Sequence, residues 1–563
     1  MYEKRLLIRL LLVCAASILF PAAEASATTD SVWGVSLDCP IRFLITTPEN
    51  TLLAFTDFGV CAIETMTGRT LWECSDFGGD VWAYCGIVPD APYAIICYGD
   101  ASGRRGDHSA APSDPSASLV IRNHLAVVDY LSGTKMWDSR SVGAVSCLGH
   151  FPILSAKALM LFYENETVER RTMAVTYKTG EILWQSDLFF PPDEEPPLIL
   201  QPNGVRTLLG NQPPLFDTDS TMITFMDKHS IRKWNALTGD LIWESAVEAG
   251  VVPAISDWYA PMVLDSARGV FYAACDKTLL AVSVVDGSQT WATRPALVGR
   301  VHQIFLTPGG ILIKGGGNQQ GSYGVPFVTL LDFGTGEPVW STPFRELSSQ
   351  TNVILRENEM VAYGQNRLFA ISLEDGSFRE LTAGLYFDGG ESPQALELTD
   401  RGYLLLSSQN LTLIDTVGRV TYHTYHKMPG RDEIGIVDLI YSVWVGGIVI
   451  GPLITGIRAA VLNAPPTGHP RQQDLITGLP CLGTTTFAKN NVYMLATVKD
   501  FIDFRQSKSH RDKGTGLIKI DKVWGEVACK VILKDMNPVY TLNASEDRLF
   551  VARHGTRLIC YWF

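Results

Sequence analysis

A close pair of histidines, eleven cysteines and a few clustered carboxylates are the side chains here that could do chemistry, and their spacing argues against most of it. His423 and His426 stand three apart in a stretch that reads as a strand, so they point to opposite faces and cannot share a metal. Asp217 and Asp219 lie in Phe216-Asp-Thr-Asp-Ser220, which lacks the glycine and distal glutamate of a calcium loop and reads as a surface turn. Gly315 to Gly321 is glycine-rich, but no Gly-Lys-Ser/Thr follows and no helix opens there, so it is not a phosphate cradle. There is no GxSxG elbow and no HExxH. No catalytic, cofactor-binding or metal-binding residue is therefore predicted.

The cysteines bear on compartment rather than catalysis. Lys4, Arg5 and Arg9, the apolar run Leu10 to Phe20 and the small residues Ala25-Ser26-Ala27 read as a secretory signal over residues 1–27, cut before Thr28. Val13 before Cys14 is too bulky for a lipoprotein site. The mature chain keeps Cys39, Cys61, Cys74, Cys85, Cys97, Cys147, Cys275, Cys481, Cys529 and Cys560, with no CxxC among them. Export would permit disulfides. Cys61/Cys74 and Cys85/Cys97 could lie on neighbouring strands, but pairing stays open, and most of the set reads as small buried strand residues. The formal net charge of −13, without a strong basic cluster, excludes a phosphate-tracking surface and with it nucleic acid as a partner.

The elements that position these residues follow from a repeat. Ala62 to Trp72 (AIETMTGRTLW) recurs as Val127 to Trp137, Ala174 to Trp184, Lys233 to Trp243, Ala281 to Trp291 and Leu330 to Trp340. Each copy sets a glycine six residues after its start and a tryptophan four further on: Gly68/Trp72, Gly133/Trp137, Gly180/Trp184, Gly239/Trp243, Gly287/Trp291 and Gly336/Trp340. The spacing predicts a strand, a tight turn on the glycine, and a second strand ending on the tryptophan. Weaker copies keep the turn at Gly376, Gly418 and Gly525 but carry Glu380, Tyr422 and Cys529 in the tryptophan position. An isolated four-stranded sheet cannot bury both faces, whereas sheets stacked radially can. The expected fold is all-β: a propeller of eight to ten four-stranded antiparallel blades over residues 28–563. Trp33 reads as an orphan last strand that completes the final blade and closes the ring.

The motif A-x-D-x-x-T-G-x-x-x-W resembles the repeat of the pyrroloquinoline-quinone-like propellers, over about residues 31 to 563. Eight blades are most usual in that family. The resemblance implies either a cofactor-free protein-binding propeller, like the subunit of the outer-membrane-protein assembly machine, or a dehydrogenase using the quinone and calcium. Many family dehydrogenases carry a disulfide between adjacent cysteines over the quinone, and no Cys-Cys dipeptide exists here. The expectation is a non-catalytic, exported scaffold of the periplasm or cell envelope, with no cofactor and a protein partner. The alternative is the quinone-dependent dehydrogenase.

Several segments fall outside the repeat. Asp100 to Ser118 reads as a polar loop, and its Arg105-Gly106-Asp107 as a chance tripeptide. Phe189 to Pro197 reads as a stiff acidic linker. Asn165, Asn410 and Asn543 each open a glycosylation triplet. A hydrophobic insertion at about 434–466 contains 24 residues, Ile434 to Ile457, with Asp438 as the one charge. Its length fits a membrane span. Blade-like sequence on both sides, with Gly446-Gly447 and Gly451-Pro452 inside it, argues instead for an insertion that does not cross. Trp444, Val445, Ile448, Ile450 and Leu453 are its candidate contact residues, for a partner or for the membrane interface through 434–457.

Overall fold

The computed structural model describes residues 31–427 and 481–563, apart from loop stretches of which the longest are 100–122, 187–197, 247–261 and 500–512. Strand dominates, and the helical elements among the described residues are two 3-10 turns, Ser139–Val142 and Asp388–Gly390.

The strands group into ten successive antiparallel blades. Four consecutive strands make each of blades 1 (residues 41–74), 2 (81–138), 3 (146–186), 4 (215–246), 7 (354–382) and 8 (395–425). Blades 5 (262–283) and 6 (301–331) have three regular strands, and blade 9 (481–532) has five. Blade 10 takes three strands from 539–562 and a fourth, Ser31–Ser36, from the other end of the chain. That strand runs antiparallel to Arg557–Trp562, with Trp33 opposite Cys560. A short hairpin, Leu198–Leu200 with Arg206–Leu208, lies between blades 3 and 4 in sequence.

Each sheet is apolar on both faces, so neither face can be left to water. The buried side chains form ten clusters, and each joins one blade to the next. One of them packs Phe550, Leu558 and Cys560 of blade 10 against Leu44, Leu52 and Ile63 of blade 1. The ring is closed, with ten blades.

The repeated tryptophan and glycine act across that seam, not within one blade. The indole Nε1 of each tryptophan donates to a carbonyl of the following blade. Trp72 donates to Tyr130 at 2.9 Å, Trp137 to Tyr177 at 2.9 Å, Trp184 to Ala236 at 2.8 Å and Trp243 to Val284 at 3.0 Å. Trp291 donates to Phe333 at 2.9 Å, and Trp340 to Leu373 at 3.2 Å. Trp33 does the same from blade 10 to Thr65 of blade 1, at 2.9 Å. The acceptor always stands three residues before that blade's turn glycine. The indole then lies flat on the glycine itself. Gly133 has φ +76°, and a Cβ there would come within 2.5 Å of the Trp72 ring. Glycine is thus required twice at one position, for the left-handed backbone and for the ring stacked upon it.

The arc from blade 7 to blade 10 replaces the tryptophan, and only Tyr422 keeps the full geometry, its ring against Gly525. Thr382 Oγ1 donates to the Gly418 carbonyl between blades 7 and 8, and Tyr422 Oη donates to the Lys522 carbonyl at 2.6 Å between blades 8 and 9. Asp547 of blade 10 takes Tyr493 Oη at 2.8 Å and Lys519 Nζ at 2.7 Å from blade 9.

Blades 5 and 6 correct one expectation. The segments ending on Trp291 and Trp340 are not regular fourth strands. They hold to their sheets by isolated bridges, Val282 to Gln289, Leu331 to Pro338 and Val328 to Phe344. Pro295, Pro338 and Pro343 lack the N–H that a ladder uses. Both tryptophans are buried nonetheless.

Candidate interaction face

The turn before each glycine is built by its own first residue. Asp129 Oδ1 accepts from Leu131 N and Ser132 N at 2.9 and 3.1 Å, and Asn235 Oδ1 from Leu237 N and Thr238 N at 2.9 and 3.2 Å. Asp332 and Asp521 do the same for Gly334 and Val523. A short polar side chain that folds back on its own turn is what the D of the repeat supplies. Backbone donors are thereby satisfied locally, and the residue two before the glycine is left pointing outward.

That displayed position carries apolar side chains in five blades. Met66 is 57% exposed, Leu131 52%, Leu237 42%, Val285 80% and Val523 39%. Beside Val523, Trp524 is 63% exposed, and in the shorter turn of blade 8 Val417 is 69% exposed. Elsewhere the same position holds Lys178, Gly334 and Glu374, so the turn does not need an apolar residue there. The turn joining the first two strands of a blade bonds to this turn: Thr65 N to Asn50 O at 3.3 Å, Tyr177 N to Lys157 O at 3.0 Å, Ala236 N to Ser220 O at 2.8 Å. Both sets of turns therefore lie on one face of the ring. Arg401, from such a turn, donates to the Val523 carbonyl at 2.7 Å and lies 4.5 Å over the Trp524 ring. An exposed tryptophan backed by an arginine is the composition of protein-binding hot spots.

The other candidates are spent on structure. Asp217 pairs with Lys233 Nζ at 2.6 Å and accepts Thr221 Oγ1, which neutralises the carboxylate. His423 bridges Thr412 Oγ1 at 2.8 Å and Asp388 Oδ2 at 3.0 Å, which pins the connection into blade 8. His426 is pushed below the usual imidazole range by burial. Lys314, buried between blades 6 and 7, donates to the Thr351 carbonyl, and burial pulls its amine down to about 7.

Among the cysteines, Cys85, Cys147, Cys275, Cys529 and Cys560 are buried. Cys61 stands opposite Glu73 and Cys85 opposite Ile96, so Cys74 and Cys97 point to the other faces of their sheets. Neither pair can bridge. Of the glycosylation triplets, Asn410 and Asn543 are buried and Asn165 lies in an exposed turn. The Gly315 loop largely, the Arg105 tripeptide, the acidic linker, the signal segment and Trp444, Val445, Ile448, Ile450 and Leu453 lie outside the described residues. The blades before and after the hydrophobic insertion, 8 and 9, share one core.

The outward-displayed turns are a feature sequence reasoning missed. The signal was available in the residue two before the turn glycine, which is apolar in five copies although the turn does not need it.

The described residues form a β-propeller of ten blades. Within that class, residues 168–319, from blade 3 into blade 6, match the family described as outer membrane protein assembly factor BamB. No curated protein matches the chain by sequence. Among solved structures, BamB from Moraxella catarrhalis is 15% identical, with 71% of this chain and 100% of that one covered at a TM-score of 0.34. The dihydro-heme d1 dehydrogenase NirN is 9% identical, covering 73% and 82% at a TM-score of 0.35. A eukaryotic initiation factor is 9% identical, covering 69% and 89% at a TM-score of 0.39. Overlaps this loose carry no argument about function.

Proposed function

We propose that this protein is an exported, non-catalytic scaffold of the cell envelope that binds other proteins and serves outer-membrane protein assembly. The observation that carries the binding role is the turn face, where apolar side chains are held out by turns that have no need of them. The family match over blades 3 to 6 supports the envelope setting, and the signal-like N-terminus supports export. The quinone-dependent dehydrogenase is the competing reading.

Substituting Met66, Leu131, Leu237 and Val285 together by Ser should leave thermal stability within about 0.5 kcal/mol per site, as for other exposed positions. Partners that co-purify with the wild-type protein from its native envelope should be lost. Retention of every partner by the fourfold variant would sink the turn-face assignment. Dye reduction by purified protein supplied with quinone and calcium would replace the scaffold reading with the enzyme.

A further inference from the structure

We propose that Cys39 and Cys61 form a disulfide that fastens the ring-closing N-terminal strand to blade 1. The two cysteines line one small cleft together with Asp38, Phe58, Glu73 and Cys74, the last of which is directed to the other face of the sheet from Cys61. Both are only partly buried, so a soluble oxidant can reach them. The cleft sits beside the connector through which the ring-closing strand passes into blade 1. The strand Ser31–Ser36 is held to blade 10 by its ladder with Arg557–Trp562 and by its tryptophan on Gly68, and its side chains are mostly exposed. Only residues 37–40 connect it to the first strand of blade 1. Cys39 lies in that connector, outside both strands, so its backbone can shift toward Cys61 without breaking a ladder. Cys61 lies in the third strand of blade 1, Gly59–Glu64. A bond between them would tie the connector to a sheet with four paired strands.

The chemistry is thiol–disulfide exchange with glutathione disulfide. The Cys39 thiolate attacks one glutathione sulfur and expels a glutathione thiolate. The Cys61 thiolate then attacks the Cys39 sulfur of the mixed disulfide and expels the second. The two cysteines lose two protons and two electrons, and glutathione disulfide becomes two glutathione thiols. Burial first, then Asp38, Asp57 and Glu73, hold the Cys39 thiol above its ordinary range; burial, Glu73, Cys39 and Asp38 push Cys61 up to about 12. Few thiolates exist at neutral pH, so closure should be slow and should quicken as pH rises. Thiols this basic are also poor leaving groups, so the bond once made resists reduction.

The in-cell relevance rests on the proposed export, while the bond itself is tested in the tube. The purified full chain is equilibrated with glutathione disulfide, its remaining thiols are alkylated, and it is digested with trypsin without reductant. Cleavage after Arg42 separates the two cysteines, and Cys74 falls in a third peptide beyond Arg69. The expected product is the Cys39 peptide joined to the Cys61 peptide, abolished by C39S or C61S and retained by C74S. Amide exchange in Ser31–Ser36 should slow at least tenfold on oxidation. Alkylation of both cysteines in the folded protein, pairing of either with Cys74, or exchange that ignores oxidation would overturn the proposal. A bond formed in the tube with free thiols in protein taken from cells would break the export reading and leave the staple standing.

Discussion

The interfaces from blade 10 round to blade 7 repeat one lock, an indole over a glycine and an Nε1 bond to the carbonyl three residues earlier. The interfaces from blade 7 to blade 10 solve the same problem with three different side chains. Threonine, tyrosine and an aspartate with two donors replace tryptophan, and the apolar clusters beneath them stay continuous. Burial therefore holds the ring, while the hydrogen bond sets how one blade is registered on the next. A buried indole brings both terms at once, and Tyr422, stacked on Gly525 with its hydroxyl on the Lys522 carbonyl, keeps both, whereas the Thr382 hydroxyl on the Gly418 carbonyl adds mainly the second.

The difference can be broken at its strong side first. Trp340→Ala should cost about 3–5 kcal/mol, as large aromatic truncations in a packed interior do. The denaturation midpoint would shift accordingly, and a loss under 1 kcal/mol would mean that the lock contributes no more than the substitutes do.

A second test lies inside the locked arc, between blades 2 and 3. His150 approaches Cys97 Sγ at 3.8 Å, and burial lowers its imidazole to about 4. The unfolded chain, with an ordinary value near 6.5, binds the proton first. The contribution is thus fully present above pH 6.5 and is lost as pH falls toward 4, by at most about 3 kcal/mol. Stability measured from pH 7 to 4 should fall more steeply for wild type than for His150→Gln, and parallel curves would remove His150 from the account.

The smallest effect sharpens the weak side. Tyr422→Phe keeps the ring stacked on Gly525 and removes only the hydroxyl bond to Lys522, which should cost about 1 kcal/mol. A cost near that of Trp340→Ala would show that the substitutes are locks in their own right.

The propeller was legible because one side chain was reused. Six glycine–tryptophan pairs at constant spacing, and Trp33 left over at the start, are enough to infer a closed ring. The blade count was not, because blades 5 and 6 have prolines where a regular fourth strand would run, and blade 9 has an extra strand before its repeat. The partner of each tryptophan was hidden as well. The glycine it covers is not the one four residues before it but the one in the next repeat, 36 to 61 positions on. Asp217 was read as part of a surface turn, but it lies in the strand Leu215–Thr218, and its pairing with Lys233, sixteen residues away, is a contact only the fold creates. The displayed turn residues were overlooked because the repeat was read for what it conserves in spacing, not for the one place where it varies freely.

Because each lock joins the tryptophan of one repeat to the glycine of the next, the interface runs in a single direction round the ring. Each of the six full repeats carries both halves, a plug at its end and a socket in its turn. A duplicated repeat would arrive with its own plug and socket and would fit between any two others without a new contact having to be invented. Ring size is then a matter of accretion and of how far the wedge angle can open. Ten units, three of them with worn joints near the point of closure, are what such growth would leave behind.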